Sequence, residues 1–389
     1  MKVSKPVFLL LCGLTLLILV GAVQFIFNPL GLGPEPETVL SRHFFTIPTQ
    51  DLSELELLVD GEAAFDKILE AIDSARSSVV VQTYIWKDDN IGRLMAARLK
   101  AAASRGVQVT VHKDLLGTVF ELGDILKGRP SPVFTKAGLR GYENIAVNTD
   151  VFTDTDHSKY FIVDKRLVVF GGMNIGDEYH TLWHDYMVLI RSNRWTEAFE
   201  YKVMQGSPWP NPSPFVLAVN DRSTTEIRTA IIEMIDSAGE SVIIEHAYFS
   251  DDKVIAAVKR AAARNVKVDI ILPQTPDTHI YANKATMNRL LEPGSEKSVR
   301  IFLYPQMTHA KVVLTDGVIA AIGSANLTPR SMLTSREVTQ FVHGGPNDLF
   351  IRKLRNRLET DIAKSEQVLQ PFEFSFADRL KAVVGKYVW

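Results

Sequence analysis

The chain has 389 residues, of which 46% are hydrophobic and 23% charged, with 43 Lys+Arg against 45 Asp+Glu and a net charge of −2. At roughly 100–200 residues per domain this is two domains or one large two-part domain, and the composition excludes a disordered chain. The near-zero charge argues against affinity for nucleic acid phosphates, and the single cysteine, Cys12, excludes disulfides, Cys-based metal sites and a cysteine nucleophile in the folded part.

Lys2 and Lys5 precede the apolar run Val7–Phe27, whose clearly polar side chains are Thr15 and Gln24. As a helix it would span about 31 Å, the thickness of a bilayer's hydrocarbon layer. The run predicts a transmembrane helix, with the lysines on the cytoplasmic side and the remainder translocated. The alternative is a signal peptide cut at Val20-Gly21-Ala22, but the apolar run continues past that point. Pro29, Pro34 and Pro36 with Gly31 and Gly33 make a spacer, so residues 1–37 form anchor and spacer.

From residue 38 the chain repeats itself. An amphipathic helix (Ala64–Arg76), a strand (Ser77–Tyr84), an Ala-rich helix (Ala97–Arg105) and a second strand (Val107–Val111) return as Thr225–Ala238, Ser241–Ala247, Ile255–Arg264 and Val266–Ile270. Polar residues follow in strict register. His157, Lys159, Asp164, Gly171, Gly172 and Asn174 stand at the same intervals as His309, Lys311, Asp316, Gly323, Ser324 and Asn326. Asp185 and Glu337 each lie 28 residues beyond their histidine and open the apolar runs Tyr186–Ile190 and Val338–Val342. Two copies of one α/β unit result, over 38–205 and 216–365, joined by a linker, 206–215, that carries four prolines. Each copy is expected to be a mixed sheet flanked by helices. Residues 366–389 are a tail. As a helix, Phe372–Trp389 places Phe376, Leu380, Val383, Val384 and Tyr387 on one side, with Arg379, Lys381 and Lys386 for the other, a pattern suited to a membrane interface or to docking on the protein's own core.

His and Lys two apart near a strand start share a face. The Gly pair (Gly-Ser in the second copy) lets backbone N–H groups approach an anion, and the Asn adds an amide donor. One copy supplies half a phosphate site; two copies facing each other supply two His, two Lys and two Asn. One imidazole can then attack phosphorus while the other protonates the leaving oxygen. Asp185 and Glu337 are suited to orient the rings, and Lys159, Asn174, Lys311, Ser324 and Asn326 to hold the phosphate. Asp164 and Asp316 complete the set of candidate catalytic positions, further along the same strands, where hydrogen bonding suits them. The histidines are scattered without metal-ligand spacing and two lysines neutralise the phosphate, so no metal or other cofactor is expected. The segment Leu115–Phe134 offers a possible apolar lip.

The paired His-x-Lys-x4-Asp-x6-Gly-Gly/Ser-x-Asn motifs resemble the signature of the phospholipase D superfamily. Gln82-Thr83-Tyr84-Ile85-Trp86 and Gly323-Ser324-Ala325-Asn326-Leu327-Thr328-Pro329-Arg330-Ser331-Met332 are most similar to bacterial cardiolipin synthases. The resemblance implies two pseudo-twofold-related phospholipase D-like repeats behind an N-terminal transmembrane helix. It implies His157 as nucleophile, forming a phosphohistidine, and His309 as general acid; the residues alone leave the two symmetric. The intermediate passes to an alcohol in a phosphatidyltransferase or to water in a phospholipase D. Glycerophospholipids and the bilayer are then the partners, in a bacterial inner membrane with the catalytic region outside the cytoplasm. A nuclease or phosphodiesterase of the same superfamily is the alternative, and the oligomeric state is left open.

Overall fold

The structure, a computed structural model, describes residues 52–150, 155–206, 215–292 and 298–387. The expected transmembrane helix and most of the proline linker (207–214) lie outside the described residues. Among those described, no helix is long and apolar enough to cross a membrane.

The first repeat forms β1 (Leu55–Val59), β2 (Ser78–Thr83), β3 (Gln108–Asp114), β4 (Ile145–Asp150), β5 (Tyr160–Val163), β6 (Leu167–Gly171) and β7 (Tyr186–Arg191), in the order β1-β7-β6-β5-β2-β3-β4. The second forms β8 (Phe215–Asp221), β9 (Thr224–Thr225), β10 (Ser241–His246), β11 (Lys267–Pro273), β12 (Val299–Tyr304), β13 (Lys311–Thr315), β14 (Ile319–Gly323), β15 (Glu337–His343) and β16 (Glu366–Gln367). Its order, β16-β12-β11-β10-β13-β14-β15-β8-β9, is the first order reversed with one short strand added at each edge. Both sheets are mixed: β2 is parallel to β3 and antiparallel to β5, as β10 is to β11 and β13.

The strands read as continuous β-branched runs because both faces are buried. In the first repeat Val79, Val81, Phe161, Val163, Val169 and Leu189 pack outward under the helices Gly61–Ser74 and Asn90–Ser104. Their alternates, Tyr160, Ile162, Val168, Phe170 and Val188, meet Ala310, Val312, Leu314, Ile322 and Val338 in a core shared by the two sheets. The second sheet covers its outer face with the helices Glu226–Ser237 and Asp252–Ala263. The layers are therefore helix, sheet, sheet, helix. The Ala-rich helices begin earlier than their composition suggests, because Asp89 and Asp251 accept N–H groups of Gly92 and of Lys253 and Val254 as N-caps.

Asp164 and Asp316 fall at the far ends of β5 and β13 from the histidines. Asp164 accepts the N–H groups of Arg76, Ser77 and Ser78 at 2.7–3.2 Å, and Asp316 those of Gly239, Glu240 and Ser241 at 2.8–2.9 Å. Burial would raise the Asp164 carboxyl, but these donors outweigh it and lower it to about 2. This corrects their place among the catalytic candidates: each aspartate clamps a strand end to the start of its neighbour and touches no part of the cleft.

Behind the cleft the repeats are joined by a buried charge cluster. His184 Nδ1 bonds Asp60, and its Nε2 lies 3.2 Å from Asp361 and 3.5 Å from Glu245. Arg357 Nε donates to both Asp361 oxygens at 2.8 and 3.0 Å. Burial opposes charge on His184, yet Glu245, Asp361 and Asp60 together hold its pKa well above the ordinary imidazole value. Glu245 also accepts the Tyr186 and Thr308 hydroxyls, at 3.1 and 2.7 Å.

Candidate active site

The segment before each histidine runs beside the segment before the other repeat's carboxylate. His157 N–H donates to Arg336 O at 2.9 Å and Arg336 N–H to Thr155 O at 2.8 Å; His309 N–H donates to His184 O at 2.7 Å and His184 N–H to Met307 O at 3.0 Å. Because Glu337 follows Arg336 and Asp185 follows His184, this pairing delivers each carboxylate to the opposite repeat's ring. His157 Nδ1 lies 2.9 Å from Glu337 Oε1, and His309 Nδ1 lies 2.7 Å from Asp185 Oδ2. A proton on Nδ1 donates to the carboxylate and leaves Nε2 to do chemistry.

The two carboxylates are held differently. Asp185 accepts Tyr186 N–H at 2.7 Å, and its carboxyl lies so close to Gly172 that a Cβ there would fall 2.4–2.8 Å from it. Glu337 reaches one methylene further, which leaves room for a side chain at the matching position. Ser324 Oγ donates to Glu337 Oε2 at 2.5 Å, and Ser331 Oγ to Oε1 at 2.7 Å. Ser324, expected to bind phosphate, is thereby committed to positioning Glu337. Ser331 was missed as a site residue, although it stands in the tail that carries the resemblance.

Lys159 and Lys311 are buried, and each Nζ donates to the carbonyl of its own histidine. Asn174 Oδ1 accepts Ile85 N–H at 3.0 Å, which fixes the amide at the cleft wall, and Asn326 has a buried amide oxygen without a hydrogen-bond partner. Burial dominates the electrostatics. It lowers His157 to about 4 against the opposing charge of Glu337, lowers Lys159 to about 7, and lowers Lys311 to about 8 against Asp185. His309 is pushed well below the usual imidazole range by burial and then by Lys311, while burial raises Asp185 to about 7. The buried Asp185–His309 pair thus keeps one proton into the neutral range, and that proton belongs to the pair.

A pH dependence follows from the lysines. If the lysines hold phosphate, as the sequence implies, the charged ammonium is the binding form; it is present well below about 7 and lost as pH rises through about 7 for Lys159 and about 8 for Lys311. A phosphodiester does not titrate there. The kcat/KM profile of the free protein should therefore fall on its alkaline side between these values. The limb in kcat should lie higher, because bound phosphate holds the protons. A flat kcat/KM across that range would overturn the assignment of both lysines.

His157 and His309 line one cleft with Tyr84, Phe120, Asn174, Tyr179 and Asn326. Tyr84 meets the His157 ring edge-on at 4.9 Å and lies 5.5 Å from Lys159 Nζ. A single π-helical turn, Glu178–Leu182, brings Tyr179 to 5.2 Å from the His309 ring, and Trp183 follows at 5.6 Å. Of the expected lip, Phe120 reaches the cleft, whereas Val133 is buried in the outer core.

The family model described as cardiolipin synthase, PLD-like domain, matches residues 68–205 and 231–362. The chain is 31% identical to cardiolipin synthase A of Pseudomonas entomophila, over 81% of this chain and 70% of that one. It is 28% identical to a cardiolipin synthase of Listeria welshimeri, over 83% and 71%. In fold it is similar to the crystal structure of phosphatidylserine synthase from Haemophilus influenzae, with a TM-score of 0.68 at 13% identity over 92% and 94% of the two chains.

Proposed function

Because the chain belongs to the family of cardiolipin synthase PLD-like domains and is a phospholipase D-type transphosphatidylase, we propose that it makes cardiolipin-type lipid at a membrane through a phosphohistidine. The observation that carries this reading is the crossed pair of histidine–carboxylate couples lining one cleft. His157, neutral at pH 7, attacks phosphorus through Nε2 as the bond to the leaving alcohol breaks. The alcohol oxygen takes the proton kept by the Asp185–His309 pair. The acceptor alcohol then attacks the phosphohistidine, gives its proton to His309, and the P–N bond breaks. Lys159, Lys311, Asn174 and Asn326 hold the phosphoryl oxygens, with Glu337 and Asp185 orienting the rings. The chain divides in this reading into anchor and spacer (1–37), two repeats (38–205 and 216–365) joined by 206–215, and a tail (366–389).

The tail supports the membrane part of the proposal. The helix Phe376–Tyr387 turns its lysines inward: Lys386 pairs with Asp252 at 2.6 Å, and Lys381 lies over the Tyr281 ring at 4.6 Å. Phe376, Leu380, Val383 and Val384 are left exposed, Phe376 by 86%. Such a face suits the headgroup–acyl boundary, which would bring the cleft to its lipid. Gly385 packs against Ala282 and His279, at the cleft's edge. The test is expression in a bacterial host that lacks cardiolipin, with and without residues 1–27, followed by lipid mass spectrometry and membrane fractionation. New cardiolipin supports the synthase reading, and phosphatidic acid alone turns it to hydrolysis. A truncated protein that stays on membranes in high salt moves the main attachment to the tail helix.

A further inference from the structure

The two repeats wall the cleft with different loops. The first contributes Tyr84, Ile85 and Phe120, an apolar wall beside His157. The second contributes Tyr248 and the loop after β11, with Asp277, Thr278 and His279. That loop is built. The Tyr248 hydroxyl donates to Asp277 Oδ1, and Thr278 N–H donates to the same oxygen at 2.9 Å. The Tyr248 ring is buried and stacks on the His279 imidazole at 4.3 Å and 22°. His279 holds a left-handed backbone, φ 58°, which costs a non-glycine residue roughly 1 kcal/mol and turns the chain into the helix Ile280–Leu290. Among the described residues lining the cleft, Asp277 carries the only carboxylate. It lies on the acid's side: Tyr248, which holds it, packs in one cluster with Trp183, whose ring is 5.6 Å from that of His309.

We propose that Asp277, held by Tyr248, is the specificity-determining residue for the alcohol, accepting a hydroxyl adjacent to the one that reacts. The inference rests on the transphosphatidylase reading. The alcohol leaves and arrives beside His309, the group that gives and takes its proton, so its second hydroxyl falls near the second repeat's wall. Both internal bonds to Asp277 fall on Oδ1, and neither uses Oδ2. Asp277 is exposed at the cleft, so a polyol headgroup such as glycerol can donate to its Oδ2 in place of water. A cationic amine headgroup fits worse, because Arg330 lines the cleft and Lys159 and Lys311 lie beneath it. The apolar wall at Phe120 and Tyr84 is left for the phosphatidyl part carried on His157.

The experiment partitions one intermediate between acceptors. Full-length protein acts on phosphatidylglycerol in detergent micelles with deuterated glycerol, or with ethanol, and mass spectrometry measures alcohol product against phosphatidic acid. A ratio of two products from one intermediate cancels any loss of active protein. Asp277→Asn should lower the glycerol-to-water ratio about tenfold, the size of one charged hydrogen bond, and the ethanol-to-water ratio much less. Tyr248→Phe should act in the same direction at smaller size. An unchanged glycerol ratio in Asp277→Asn overturns the inference, as does an equal fall for glycerol and ethanol, or a variant that forms neither product. Wild-type protein that turns over no phosphatidylglycerol overturns the transphosphatidylase reading and this inference with it; an active wild type with an unmoved ratio overturns this inference alone.

Discussion

On the proposed mechanism, substitution of either His157 or His309 should lower lipid turnover by at least about 10⁴-fold, but the two variants should fail at different steps. His157→Ala lacks the nucleophile, so no covalent adduct forms with any substrate. His309→Asn keeps the nucleophile and its partner Glu337, 2.9 Å away. Its defect is the missing proton for the leaving oxygen and, later, the missing base for the acceptor. With a p-nitrophenyl phosphodiester the leaving group departs without a proton. This variant should release up to about one nitrophenolate per site and then stop, leaving an acid-labile phosphohistidine at His157. Tandem mass spectrometry of the trapped protein locates the adduct. An adduct on His309 in a His157→Asn variant would reverse the roles, and the absence of any adduct in either variant beside active wild type would point to direct attack by the acceptor.

The direction of that assignment is the one the family resemblance implies, and the surroundings of the two rings differ. His157 is lowered to about 4 and its partner already takes two hydroxyl donors, Ser324 and Ser331. His309 is shut in by Tyr179 and Trp183 and shares its carboxylate, raised to about 7, with one proton. In the proposed reading nucleophile and acid therefore sit in different environments, on a backbone that is nearly symmetric.

That near-symmetry governs what could be read from the residues. Intervals repeated between two halves identify the paired sheets, the strands and most of the polar set, because a duplicated strand places its residues alike in both copies. They give Asp185 and Glu337 as the third members, 28 residues after each histidine. An interval is blind to whether a carboxylate serves its own repeat or the other. The crossing depends on which segments lie side by side across the pseudo-twofold axis, as in His157 N–H to Arg336 O. The same blindness assigned Ser324 to phosphate by analogy with Gly172, when the extra methylene of Glu337 gives that position a different task. It also grouped Asp164 and Asp316 with the catalytic residues, when a motif of fixed spacing holds both site and scaffold. Tyr179, Trp183 and Asp277 were not singled out because they have no partner at matching positions, and a search for repetition passes over what the copies do not share.

The crossing yields the second large effect. Glu337→Gln keeps the shape of the side chain and, with its amide nitrogen in the Oε1 position that faces His157 and Ser331, an oxygen for Ser324, but offers His157 a neutral amide that stabilises the wrong tautomer. An effect of about 10³–10⁴-fold on turnover is expected from the loss of such a carboxylate. Because Glu337 serves the nucleophile, this variant should slow the nitrophenolate burst itself, as His157→Ala does. Asp185→Asn serves the acid, so it should leave a burst and block turnover, as His309→Asn does. Pairing within each repeat would give the opposite result, with Glu337→Gln retaining the burst and Asp185→Asn losing it. Double variants sharpen the test, since residues that act as one unit are far from additive. Adding Glu337→Gln to His157→Ala should cost little more than His157→Ala alone. Adding it to His309→Asn should remove the burst which that variant retains, and a burst that survives there would break the link between Glu337 and the nucleophile.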